Sequence, residues 1–170
     1  EQEGTYPLPE AQLDRFMMKV FVDYPSKTEE LEVMRRMSNL DYNYEPQAIL
    51  SKEDIAQIRH GINQITLSET LENYIVELVF ATRRPGDYGL RDEDRYLQFG
   101  VSPRGTIKLN LAAKALAYFA GRDYVLPEDI KEAAPDVFNH RIMLNYEAEA
   151  DGITTRYVID SILRKVAIGR

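Results

Sequence analysis

A mainly helical fold is expected, with one strand leading into a bundle of five or six helices. Three observations predict it. Serines stand just ahead of amphipathic runs at Ser26, Ser51, Ser68 and Ser102, as helix N-caps do. Apolar residues in those runs recur every three or four positions, and Leu71, Tyr74, Ile75, Leu78 and Val79 are the cleanest set. Only one stretch alternates as a strand: Val20, Val22 and Tyr24 against Lys19, Phe21 and Asp23, ended by Pro25.

Taken in order, Pro7 and Pro9 make the start irregular, and PEAQLDRF (9–16) forms a short helix with Glu10 in its first turn. Residues 17–24 follow as the strand. A lone strand cannot satisfy its own edges, so the other strands of its sheet are expected outside these 170 residues. The first residue is Glu1 rather than Met, which fits a processed product or a piece of a larger protein. An apolar run ending in Asp23 has the outline of a Walker B strand, but no second acid follows, and that reading is rejected.

Ser26 caps a helix over 27–38 with Leu31, Met34 and Met37 on one face, and residues 39–50 read as a loop. Ser51, with Asp54 three residues on, starts a helix carrying Ile55, Ile58, Ile62 and Ile65. The helix after Ser68 ends in a loop marked by Pro85, Gly86 and Gly89. RDEDR (91–95) neutralises itself and reads as a solvated loop. From Ser102 a helix runs to about Ala120, with Ile107, Leu111, Ala115, Leu116 and Phe119 expected to face inward. Another starts at Pro127, buries Ile130, Ala134, Val137 and Phe138, and is interrupted by Pro135. The last follows Ile153 and uses Val158, Ile162, Leu163 and Val166.

Apolar residues make up 44% of the chain and charged residues 29%, which is ordinary globular composition. A net charge of -7 argues against broad non-specific nucleic-acid binding, which needs a strong positive field. The absence of cysteine excludes a disulfide framework and thiolate metal sites, and fits a reducing compartment such as the cytoplasm. No apolar run approaches the roughly 20 residues that span a bilayer, and no signal peptide is visible.

Familiar catalytic motifs are missing. There is no G-x-x-x-x-G-K-[ST], and around Ser102 the pattern is G-x-S-x-R, a helix cap rather than a nucleophile elbow. His60 and His140 lie in no metal-ligand spacing and read as packing or surface residues. Two arginines remain. Arg104 follows the cap Ser102 and Pro103 at the first helical position, beside the positive end of the helix dipole. An anion such as a phosphate at that end would give the placement a purpose. Arg15, in LDRF, carries the same rigid fork suited to phosphate, although the spacing equally allows it to pair with Asp14 or Glu10.

Several strings resemble one family. EQEGTYPLPEAQLDRFMMKVFVDYPS (1–26), IVELVFATR (75–83), FGVSPRG (99–105), GRDYVLPEDIKEAAPDVFNHRI (121–142) and LNYEAEADG (144–152) resemble, in order, the C-terminal part of MoxR-type AAA+ ATPases. The resemblance implies that residues 1–25 close an α/β P-loop nucleotide-binding domain, the short helix and last strand being its remnant, and that 26–170 form the helical lid. It implies that Arg104 is the sensor 2 arginine, reaching the γ-phosphate of ATP in its own subunit. Ser102 and Pro103 shape that helix end. Ile107 is placed either on the adenine side or in the core. Arg15 falls on the arginine finger, acting on the neighbouring subunit.

The family implies Mg²⁺-dependent ATP hydrolysis by a homo-oligomeric, hexameric ring. The hydrolysis would drive assembly or maturation of partner proteins, with von Willebrand factor A domain proteins among the partners. Walker A and Walker B are absent from these residues, so the chain by itself is expected neither to hydrolyse ATP nor to carry ATP or Mg²⁺. The competing readings are a non-enzymatic helical interaction module and a nucleic-acid-remodelling AAA+ protein.

Overall fold

Polar caps start most of the helices. The computed structural model describes residues 8–39, 43 and 45–169. The irregular start expected at Pro7, and part of the loop expected over 39–50, lie outside the described residues. A short α1 spans Glu10–Leu13. α2 (Lys27–Met37) and α3 (Lys52–Gln64) begin with full capping boxes, Ser26 with Glu29 and Ser51 with Asp54. α4 (Glu69–Arg83) is capped by Ser68, and α5 (Arg91–Asp94) is a single turn. Strand β1 (Leu97–Phe99) leads into α6 (Pro103–Phe119), followed by α7 (Pro127–Phe138). Strand β2 (Met143–Leu144), α8 (Tyr146–Ala150) and α9 (Thr155–Lys165) complete the chain, the last two capped by Asn145 and Thr154.

The core forms where α4, α6, α7 and α9 meet. Tyr74, Ile75 and Leu78 from α4 pack with Leu109 of α6, Ile130 and Phe138 of α7, and Ile159 of α9. Each large apolar side chain taken fully out of water contributes about 1.5–3 kcal/mol. The buried face of α6 is Gly105, Leu109, Ala112, Ala113 and Ala117. These mostly small residues let α7 lie close alongside. The inward face expected from the large aliphatics is therefore rotated. Ile107 is 58% and Phe119 72% exposed, because small residues carry little weight in a hydrophobic pattern although they pack most tightly. Pro135 is buried inside α7 without ending it.

Three further expectations change. Residues 17–24 form no strand. Among the described residues none pairs with them, and the Lys19 N–H donates instead to the Asp136 carbonyl at 2.9 Å. A strand exists only through a partner's ladder, so the alternation at 20–24 lacks the contacts that would make it one. Residues 91–94 are helical, with Glu93 buried, rather than a solvated loop. α2 buries no residue, and Leu31, Met34 and Met37 are exposed. Among the described residues no helix is long and apolar enough to cross a membrane.

GRDYVLPEDI closes the turn between α6 and α7. The Arg122 guanidinium donates to both carboxylate oxygens of Asp129, at 2.8 and 2.6 Å. Asp129 also accepts the Leu126 N–H at 2.7 Å, satisfying one of the unpaired donors at the start of α7. Burial pushes the Asp129 pKa up, but the Arg122 hydrogen bonds and charge and the Leu126 N–H outweigh it and hold the carboxyl below its ordinary value. Two backbone bonds, Thr66 N–H to Asp123 O and Val125 N–H to Thr66 O, tie this turn to the α3–α4 junction. Asp129→Ala is expected to lower the thermal midpoint by about 5 °C or more, since it removes charge-assisted bonds and leaves the half-buried Leu126 N–H unpaired. Differential scanning calorimetry checks this, and an unchanged midpoint would show the turn to be held by its backbone bonds alone.

Candidate functional site

The FGVSPRG run is shaped by close approach. A Cβ at Gly100 would lie 2.3 Å from the Thr82 carbonyl oxygen, so only glycine lets β1 cross the end of α4. There the Thr82 hydroxyl accepts the Val101 N–H at 2.9 Å, and Arg83 Nε donates to the Val101 carbonyl at 2.7 Å. A Cβ at Gly105 would meet Val101 Cγ1 at 2.1 Å and Arg141 Cδ at 3.3 Å. β1 pairs antiparallel with β2, with Leu97 opposite Leu144 and Phe99 opposite Met143. This short ladder brings the residues before α6 and those after α7 to one corner of the bundle.

The start of α6 lies in that corner. Ser102 Oγ accepts the Arg104 N–H at 3.1 Å and donates toward the Asp14 carboxylate, whose oxygens are 3.0 and 2.9 Å away. No acidic residue occupies the first turn of α6. The Arg104 guanidinium lies 3.6 Å from Asp14, with its side chain 51% exposed, a separation and exposure that leave the pair weakly held. Pro103 occupies the first turn as expected.

Arg141 lies behind this surface with its side chain 1% exposed. Its Nε donates to Asp14 Oδ1 at 3.1 Å. One terminal nitrogen donates to the Met17 carbonyl at 3.3 Å and to the Val137 carbonyl. The other donates to the Asp14 carbonyl at 2.9 Å and to the Phe16 carbonyl. All five N–H donors of the guanidinium are used. Burial pushes its pKa down, while the charge of Asp14 and the bond to it work in the opposite direction.

Arg15, Arg104, Ile107 and Lys108 line a depression of about 390 Å³. The structure thus brings together Arg15 and Arg104, which are far apart in the sequence, and adds Lys108, which sequence reasoning passed over. Among the described residues, neither Arg15 nor Lys108 has an ion-pair partner: Asp14 is engaged by Ser102, Arg104 and Arg141. Ile107, exposed at the rim of this depression, is not a core residue. An open cleft with three cations, one apolar wall and a helix N-terminus suits an anion that also carries a flat or apolar group. Among the described residues, no cluster of three or more histidines and carboxylates suits a metal ion.

Asp14 and Arg141 were also missed as supporting residues. Both lie inside strings noted for their resemblance, LDRF and FNHRI, but nothing in their spacing reveals that they meet. The available signal was a charged residue at 141 directly before the apolar run Ile142, Met143 and Leu144, three positions after a buried helix end.

A mainly helical bundle of this kind is the architecture expected of an AAA lid. Residues 91–162 match the AAA lid domain family. The chain is 44% identical over 99% of its length to the chaperone MoxR1 of Mycobacterium tuberculosis, covering 44% of that protein. It is 40% identical over 99% of its length to the uncharacterised YeaC of Bacillus subtilis, covering 50%. A crystal structure of a provisionally assigned ATPase from Cytophaga hutchinsonii superposes over the whole chain with a TM-score of 0.94 at 62% identity, and the match covers 52% of that structure. The chain belongs to the MoxR family of AAA+ proteins. It spans about half the length of the relatives it matches.

His140 adds a pH-sensitive element beside the site. Its Nε2 lies 3.4 Å from the Phe16 carbonyl, and its Nδ1 is buried without a partner. Burial, and then the charge of Arg141, push its pKa below the ordinary 6.5. A depressed histidine pKa means that the unfolded chain binds the proton more readily, so the stabilisation is full above the unfolded value and is lost as pH falls through it toward the folded one. The thermal midpoint is expected to fall between about pH 7.5 and about pH 5.5, and His140→Gln to reduce that fall. Thermal melts of both forms across this range check it, and equal slopes would exclude His140 as the cause.

Proposed function

We propose that this chain is the lid, with the end of the nucleotide-binding domain, of a MoxR-type ATPase that hydrolyses Mg-ATP in a homo-oligomeric ring. Residues 1–25 belong to the α/β domain in this reading and 26–170 to the lid. The observation that carries the reading is the convergence of Arg104, Arg15 and Lys108 on one cleft at the start of α6, in a chain of this family.

Arg104 and the α6 N-terminus face the γ-phosphate as sensor 2. They supply fixed positive charge where negative charge is redistributed during phosphoryl transfer. Arg15 serves as the arginine finger. Ser102 holds the helix end, and Ile107 offers apolar surface to the nucleotide. Mg²⁺, when bound, would supply charge that offsets the phosphates. The residues of this chain suit the triphosphate rather than the cation, whose ligands would come from the Walker motifs outside it. Hydrolysis would work on partner proteins, in keeping with the name chaperone given to the Mycobacterium tuberculosis relative. Von Willebrand factor A domain proteins, a hexameric ring and a cytoplasmic setting complete the proposal.

The shared cleft bears on how the arginines divide their work. The family assignment gives Arg104 to its own subunit's nucleotide and Arg15 to the neighbour's, whereas side chains lining one depression also suit a single triphosphate. Mixed rings separate the two. In the full-length protein Arg104→Ala is expected to lower ATP turnover on the order of 10²-fold. Subunits carrying Arg15→Ala should regain activity when mixed with subunits disabled in the Walker B acid. If Arg104 variants are complemented in the same way, both arginines act on the neighbour. Wild-type turnover by Arg104→Ala rings would remove the sensor 2 assignment.

A further inference from the structure

We propose that Arg141 is the positioning residue for Arg15, fixing the backbone on both sides of it. The proposal rests on the role given above to Arg15. A guanidinium that pairs only with Asp14 would be an ordinary ion pair. Arg141 instead takes the carbonyls of Asp14 and Phe16, the residues directly before and after Arg15, and the carbonyl of Met17 beyond. Its Nε takes the Asp14 carboxylate, and its remaining N–H takes the Val137 carbonyl at the end of α7. The backbone of residues 14–17 is thus fastened to the core of the bundle.

Arg15 itself has no such anchor. It lies after α1, which is only one turn long, and its side chain enters the cleft with no ion-pair partner among the described residues. Two local backbone bonds, Arg15 N–H to Gln12 O at 3.2 Å and Phe16 N–H to Leu13 O at 3.1 Å, define the turn but do not attach it to the bundle. Attachment comes from Arg141, aided by Lys19 N–H on the Asp136 carbonyl. The same Arg141 meets Asp14, which receives Ser102 and faces Arg104. One buried side chain therefore sets where the Arg15 backbone stands relative to the start of α6. Misplacing a catalytic group by about 1 Å is enough to lose much of its effect. Arg141 does not touch the cleft, and it acts through Arg15.

The test uses the full-length protein. Steady-state Mg-ATP turnover is measured for Arg141→Gln, Arg141→Lys and Arg15→Ala, and for Arg141→Gln combined with Arg15→Ala and with Arg104→Ala. Amide hydrogen exchange at residues 15, 16 and 19 is followed in parallel. Arg141→Gln is expected to lower kcat by on the order of tenfold with less change in KM, and to speed exchange at those amides while α6 and α7 stay protected. Added to Arg15→Ala, it should cause no further loss, whereas added to Arg104→Ala it should. Arg141→Lys, with three donors in place of five, should recover part of the activity and the protection.

Additive losses of Arg141→Gln and Arg15→Ala would overturn the proposal, and so would unchanged exchange at residues 15, 16 and 19. If Arg15→Ala alone leaves turnover intact, the finger assignment has failed; Arg141 is then a structural residue only and the proposal falls with it. Should Arg141→Gln unfold the lid, Arg141→Lys takes its place in the same cycle, with the same two outcomes deciding.

Discussion

Everything at the functional corner hangs on a buried guanidinium whose donors are all taken. A charge moved out of water costs several kcal/mol unless its hydrogen-bonding groups are satisfied. Arg141 meets that condition with one carboxylate oxygen and four backbone carbonyls. The requirement works in both directions. The carbonyls must converge for the charge to be buried, so the charge dictates the path of residues 14–17 and the end of α7. Lysine could not impose the same path, because its three donors radiate from one point whereas the arginine fork reaches sideways along the chain.

In front of this clamp the electrostatics are unbalanced. Asp14 is the acid facing Ser102, Arg104 and Arg141, while Arg104, Arg15 and Lys108 line the open side. The helix dipole adds to the positive side, and no first-turn acid offsets it. Local order is preserved because Ser102 both caps the helix and donates to Asp14. Helix start and counter-charge are joined through one hydroxyl, so the loosely paired Arg104 can leave Asp14 without undoing the cap.

Much of the bundle could be read from the sequence, for physical reasons visible at particular residues. Ser26, Ser51, Ser68 and Ser102 all cap helices, because capping depends on neighbours a few residues away. The face of α6 was misread because Ala112, Ala113 and Ala117 decide its packing through their small size, a property of the facing helix as much as of α6. The alternation at 17–24 forms no strand among the described residues, because a strand needs a partner's ladder and its partners are expected outside these 170 residues. Arg104 and Arg15 stood out as isolated arginines in telling contexts. Asp14 and Arg141 did not, since 127 positions separate them and they meet only where residues 14–19 lie against the end of α7.

The clamp also has an evolutionary aspect. Four of its five bonds are made to main-chain oxygens, and a carbonyl is the same whatever side chain its residue carries. Phe16 and Met17 point toward solvent and contribute only their backbones to Arg141. The clamp itself therefore sets no requirement on the side chains at 16 and 17, and any constraint on them comes from what the surface flanking Arg15 meets.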